Sequence, residues 1–110
     1  MFAVIYRGYI KAGLEKDYLT YWKKVASYFV NHRGALGSTL HKTQDDMWVA
    51  YSKWPNESTW KSSWPKNGES ISSEFPSDIK EAIEGIKNCL DVERSLPEIC
   101  MEIMEEVTRG

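Results

Sequence analysis

The sequence predicts an α+β fold of the ferredoxin-like type, with the element order β-α-β-β-α-β. Three observations lead to this prediction: a strongly amphipathic helix pattern over residues 14–33, two adjacent β-rich segments after it, and a second helical stripe before a β-rich tail. At 110 residues the chain is long enough for one domain, which we expect to span residues 1–110. The predicted architecture is one four-stranded antiparallel sheet with helices on one face.

Residues 2–10 form the first predicted strand. Phe2, Val4, Tyr6 and Ile10 alternate with a second set that is also largely apolar, which indicates a strand covered on both faces. Gly13 then offers a turn before the long helix.

The pattern over residues 14–33 predicts the first helix. Its apolar stripe covers roughly half the circumference, wider than the ~100° needed to lie on a sheet. We therefore expect something besides the chain's own sheet to cover the excess. Gly34 is a natural C-terminal cap. The stripe consists of Leu14, Tyr18, Tyr21, Trp22, Val25, Tyr28 and Phe29, widened by Leu19, Ala26 and Val30.

Residues 36–43 and 47–54 predict a β-hairpin that turns at residues 44–46. Pro55 ends the second arm, and Asn56 can cap a short extra helix that runs to Trp64. Trp60 and Trp64 lie four residues apart and should share the apolar face of that helix.

The last third of the chain predicts a loop, a helix and a strand. Residues 66–74 are polar and rich in Gly and Ser, which is typical of a flexible loop. Ser77 should cap the next helix, whose inward stripe is Ile79, Ile83, Ile86 and Leu90. Residues 99–107 fit either strand or helix spacing, and we choose a strand because Pro97 interrupts a continuous helix.

Composition excludes several classes of protein. The formal net charge of -2 supplies no basic stripe for nucleic acid or an anionic membrane. No apolar run approaches the ~20 residues of a membrane span. No charged segment precedes the first apolar stretch, so we expect no secretory signal and a cytoplasmic location. Cys89 and Cys100 should then be free, buried thiols, and no spacing of residues predicts a metal or cofactor.

A sheet with helices on one side leaves its other face bare, and here both faces are apolar. Two copies that pack face to face into a barrel would bury both bare faces. The sequence therefore predicts a homodimer, with a dimeric α+β barrel as its architecture.

Five segments together carry a family resemblance: residues 4–7, 21–23, 34–38, the block 48–55, and the helix with Trp60 and Trp64. In this combination the chain resembles the antibiotic biosynthesis monooxygenase (ABM) superfamily of dimeric α+β barrels. The resemblance implies that fold, and it implies either cofactor-independent oxygenation of aromatic or quinol-type substrates or, in one branch, haem degradation.

The haem-degrading branch depends on a first-strand Asn, a Trp on the short helix and a haem-ligating His. Trp64 matches the Trp. The first-strand position falls at Tyr6 or Arg7, and Glu74 stands where the His should lie. Two of the three residues are absent, which argues against haem degradation by that mechanism.

The candidate site residues are aromatic or polar. Trp60 and Trp64 either line an aromatic pocket for a flat substrate or anchor the core and the dimer interface. Tyr6, Tyr51 and Ser52 are pocket candidates by position. His41 is either a base that deprotonates the substrate or a partly exposed strand histidine.

Arg7 interrupts an apolar strand. It should therefore pair with an acid such as Glu102 or bind a ligand anion.

The leading hypothesis is an enzyme: a cofactor-free monooxygenase that combines a small aromatic or quinol-like molecule with O₂. In it His41 is the base, and Trp64 and Tyr51 position the ring. The alternative is a non-catalytic module that binds a small apolar ligand or only dimerises, and haem binding without the usual ligands is a third interpretation.

Overall fold

The strands β1 (Phe2–Gly8), β2 (Gly37–Lys42), β3 (Trp48–Trp54) and β4 (Ile99–Glu102) form one antiparallel sheet in the order β2-β3-β1-β4. The computed structural model describes residues 1–64 and 75–109. This topology confirms the predicted ferredoxin-like plan. The sheet has two edges, β2 and β4, and is not closed into a barrel.

Within residues 1–64 and 75–109 three α-helices accompany the sheet: α1 (Glu15–His32), α2 (Glu57–Ser63) and α3 (Ser77–Cys89). Asn56 caps α2 as predicted, because its side-chain oxygen accepts a hydrogen bond from the Thr59 amide at 2.7 Å. Gly34 follows α1 with a φ of 92°, a backbone conformation that glycine adopts without steric cost. The cap predicted at Ser77 is wrong: α3 begins at Ser77 itself, Pro76 precedes it, and no side chain caps the helix.

The strand register separates the two faces of the sheet. Val4 lies across from Ser52, and Tyr6 lies across from Ala50, on the face that the helices cover. The alternate residues, among them Arg7 and its partner Val49, lie on the opposite side, which we call the open face. The helices therefore pack on one side, as predicted.

Two clusters of buried side chains hold the helices on the sheet. The larger one joins β1 and β3 to all three helices, and Val4 at its centre is completely buried. The smaller one includes Tyr18 and Trp48, whose rings meet edge to face with centroids 5.4 Å apart. Leu19 and Val30, at the margins of the wide α1 stripe, remain exposed.

The structure corrects the prediction for the tail and for the thiols. The last strand ends at Glu102, and a short 3-10 helix, Val92–Arg94, interrupts the connector before it. Both cysteines are free, but only Cys89 is buried and Cys100 is exposed on the edge strand. The predicted loop at residues 66–74 lies outside the described residues.

Arg7 does not pair with Glu102. Its Nη2 donates to the carbonyl oxygen of Pro97 at 3.1 Å, while the Glu102 carboxylate lies 3.9 Å from the N-terminal amine. The register explains the difference, because Glu102 pairs with Phe2, five residues away along β1. Among the described residues no helix is long and apolar enough to cross a membrane.

Gly85 allows α1 and α3 to approach. A Cβ atom at this position would lie 2.5 Å from Cε2 of Tyr21, far inside van der Waals contact. We expect Gly85→Ala to lower the free energy of unfolding by about 1–3 kcal/mol, because overpacking outweighs the gain in helix propensity. Urea denaturation measures this, and adding Tyr21→Leu should recover part of the loss. An unchanged stability of Gly85→Ala would contradict the packing.

Tyr18 should make stability depend on pH in alkaline solution. Burial, with a smaller contribution from nearby Cys89, raises the pKa of Tyr18 from 10.0 to about 12. The unfolded chain therefore ionises this phenol first, so its stabilising contribution is complete below pH ~10 and is lost as the pH rises through about 12. Across that range we expect the wild type to lose about 2–3 kcal/mol more than Tyr18→Phe. Parallel pH profiles from urea denaturation would contradict this.

Candidate functional site

A cavity of about 80 Å³ lies between α1 and the helix-covered face of the sheet. We call it the inner cavity. Its wall is overwhelmingly apolar, and β1, β3, α1 and the end of α2 all contribute to it. The aromatic members of the wall are Tyr6, Trp22, Phe29, Trp54 and Trp64. Such a wall suits a flat apolar ring.

The Tyr6 hydroxyl is a polar group on this wall with a proton to offer. It accepts a hydrogen bond from Nε1 of Trp60 at 3.1 Å. Burial raises the pKa of Tyr6, and hydrogen bonds from Trp60 and Trp64 oppose that rise only in part, so the phenol is protonated at neutral pH. Among the described residues the hydroxyl proton has no acceptor, and it can therefore donate to an oxygen atom of a ligand.

The serines of the wall differ in what they can offer. Ser52 is buried and satisfied, because its hydroxyl accepts from Nε1 of Trp54 at 3.0 Å and donates to the Val4 carbonyl at 3.4 Å. Ser38 lies at the β2 margin of the cavity, and its hydroxyl has no partner in the described part of the chain. On the helix-covered side of the described wall, Tyr6 and Ser38 are thus the hydroxyls able to bind a ligand.

The end of α2 places the Trp64 ring. Nε and Nη2 of Arg33 both donate to the Ser63 carbonyl, at 2.9 and 2.7 Å, and the guanidinium lies 5.1 Å from the centroid of the Phe75 ring. Trp64 follows directly, with its ring centroid 4.6 Å from that of Phe29. The bond of Arg33 to the helix end therefore fixes where the chain leaves α2.

The structure brings together three of the predicted site residues at the cavity: Tyr6, Trp64 and Tyr51 all border it. Because side chains alternate along β3, the Tyr51 side chain points to the open face. Tyr51 therefore borders the inner cavity from the opposite side of the sheet. Trp60 supports Tyr6 and packs on Phe2, with ring centroids 5.8 Å apart.

Arg7 and His41 lie on the open face, away from the inner cavity. The exposed His41 ring has Nδ1 3.2 Å from the Val49 carbonyl oxygen, and Val49 separates it from Arg7 across the sheet. The base role of His41 stays a prediction, and the sheet stands between this side chain and the cavity.

Sequence reasoning missed Trp22 and Ser38 as wall residues. The sequence pattern places Trp22 in the apolar stripe of α1, and the structure shows that it also lines the inner cavity. The stripe is wider than the sheet can cover, and this excess width indicates that part of it borders a cavity. Ser38 has no such indication, since its place depends on the strand register. The described residues contain no cluster of potential metal ligands.

No family model matches the chain, and no curated protein matches its sequence. Solved structures do match its fold. SnoaB from Streptomyces nogalater, a cofactor-independent oxygenase, is 9% identical, with 98% of this chain and 97% of that chain covered and a TM-score of 0.70.

Two further structures give the same result. An antibiotic biosynthesis monooxygenase is 14% identical, with 98% of this chain and 100% of that chain covered and a TM-score of 0.63. Rv0793 from Mycobacterium tuberculosis is 10% identical, covers 97% and 98% of the two chains and has a TM-score of 0.67. The chain therefore has the fold of the antibiotic biosynthesis monooxygenase superfamily.

Proposed function

We propose that this protein is a cofactor-independent monooxygenase that acts on a small aromatic or quinol-like compound in the inner cavity. The observation that carries the proposal is the Tyr6 hydroxyl, a protonated donor with no acceptor among the described residues, in a predominantly apolar wall. The fold supports it, because a neighbour in structure, SnoaB, is a cofactor-independent oxygenase.

The proposed reaction uses O₂ and two hydrogens of the substrate. The substrate loses a proton, its anion passes one electron to O₂, and the two radicals combine into a peroxide. Loss of the second hydrogen with cleavage of the O–O bond leaves a carbonyl on the product, and the other oxygen atom departs as water. The chain contributes an apolar wall for the ring and a donor, Tyr6, that stabilises the charge developing on the substrate oxygen.

The described wall holds no carboxylate, histidine or lysine that could take the first proton. This favours substrates that ionise readily, such as quinols, since a donor beside the oxygen lowers the cost of the anion. The same observation favours a second candidate function, a module that binds a small apolar ligand without chemistry. The two differ in O₂ consumption.

A homodimer is part of the proposal, with the open face as its interface. Ile5, Val49 and Tyr51 form an apolar strip across β1 and β3, only partly shielded from solvent. Beside them Nε of Arg7 is buried without a hydrogen-bond partner in the described part of the chain. A second copy would cover the strip and could supply an acceptor for that atom.

The oxygenase proposal is tested with an oxygen electrode and a panel of hydroquinones. We expect Tyr6→Phe to lower the rate about 100- to 1000-fold, because the substrate anion loses its donor. Tyr9→Phe, outside the cavity, is the matched control and should keep the rate. Labelled ¹⁸O₂ should place one oxygen atom in the product.

Other outcomes separate the hypotheses. A rate that is unchanged in Tyr6→Phe but lost in His41→Ala would contradict a reaction in the inner cavity and support His41 as the base. Binding of a quinol without O₂ consumption would favour the module that performs no chemistry.

The dimer is tested by light scattering coupled to size exclusion at micromolar concentration. We expect a dimer for the wild type and a monomer for Val49→Lys, because a charge at the centre of the open face must be desolvated on association. Asn88→Lys on the exposed side of α3 adds the same charge and should leave the dimer intact. A wild-type monomer would exclude the proposed interface.

A further inference from the structure

A second depression lies directly outside the inner cavity. This outer groove has a volume of about 370 Å³ and runs along α1 beside β2. Trp22, Ala26 and Ser38 line both spaces, so the inner cavity and the outer groove adjoin at these three residues. A molecule too long for the inner cavity would extend into the groove.

The two spaces differ in chemistry. Along α1, Trp22 and Ala26 belong to an apolar row four residues apart, which the groove shares with the cavity. The adjacent row, one residue further along the helix, is polar: Lys23, Ser27 and Asn31. Together with Ser38 from β2, the groove therefore offers one cation and three hydrogen-bonding side chains, whereas the described wall of the inner cavity has no charged group.

The Lys23 charge is available to a ligand. Its neighbour Lys24 lies 3.5 Å from the Asp78 carboxylate, but Lys23 makes no ion pair with any described residue. Its ammonium is exposed, and the solvent therefore screens any pair that it forms.

We infer that the natural ligand is an aromatic compound that carries a carboxylate substituent. The ring occupies the inner cavity beside Trp64 and Tyr6, and the carboxylate lies in the outer groove, where it contacts the Lys23 ammonium. This inference rests on the proposed function, since it names the substrate class of the same site. Lys23 is then a specificity-determining residue rather than a catalytic one.

Two redox-inert probes of similar shape, each with a single ring, test the inference without any reaction: 3-phenylpropionate and 3-phenylpropanol, titrated by calorimetry into the full chain. We expect the acid to bind more tightly than the alcohol. Lys23→Met should weaken the acid about two- to fivefold, the range of an exposed ion pair, and leave the alcohol unchanged. Added salt should reduce the difference between the probes.

Two variants complete the design. Lys16→Met removes the same charge from an exposed position of the same helix outside the groove, and should change neither titration. Lys23→Glu should weaken the acid further and strengthen binding of 3-phenylpropylamine, which carries the opposite charge.

The inference is overturned if the acid binds no better than the alcohol, if Lys23→Met and Lys16→Met behave alike, or if neither probe binds. Its failure and that of the oxygenase proposal are distinguishable. Charge-dependent binding without O₂ consumption would support the carboxylate site and exclude the oxygenase. O₂ consumption at the same rate in Lys23→Met, without charge-dependent binding, would support the oxygenase and exclude the carboxylate site.

Discussion

The guanidinium of Arg33 joins the end of α1 to the end of α2, and the site depends on that junction. Two of its nitrogen atoms donate to one carbonyl, that of Ser63. A charged donor makes such bonds stronger than neutral ones, about 1.5–3 kcal/mol each. With the helix end held there, Trp64 reaches Phe29 and Trp60 reaches the Tyr6 hydroxyl.

The turn after α1 serves the same junction. A Cβ atom on Gly34 would come within 2.8 Å of Cγ2 of Thr59, which belongs to α2. A side chain at this turn would displace the Thr59 side chain of α2 and also strain a left-handed backbone. Gly34 is thus required for two reasons: the backbone after α1 is left-handed, and α2 packs close to it.

Local patterns predicted most of the fold, since the features concerned are decided within a few residues. The α1 stripe, the hairpin and the Asn56 cap all depend on neighbours in sequence. Predictions failed where the outcome depends on distant pairing. The partner of Arg7 is set by the register of β4 against β1, which the sequence does not reveal.

The candidate site was predictable only in part for the same reason. Trp64 could be placed near a pocket from the family resemblance, and Tyr6 from its position in the alternating pattern of the first strand. The sequence correctly predicts that His41 and Leu40 lie on opposite faces of their strand. Which of the two faces meets the helices depends on how the sheet is assembled, and the sequence does not reveal this. Ser38 belongs to both the inner cavity and the outer groove through pairing with Ser52, a contact between strands.

The position of β1 has a consequence for how the chain acquires its structure during synthesis. Of the four strands β1 is synthesised first, but it lies inside the sheet between β3 and β4, and the Ile103 amide donates to the Met1 carbonyl at 2.8 Å. Residues 99–103 must therefore leave the ribosome before β1 obtains its second neighbour. The pairing of β1 with β4 is slow because the two strands are far apart in sequence. Until it forms, one edge of an apolar strand is unpaired, and the nascent chain can associate with other chains there.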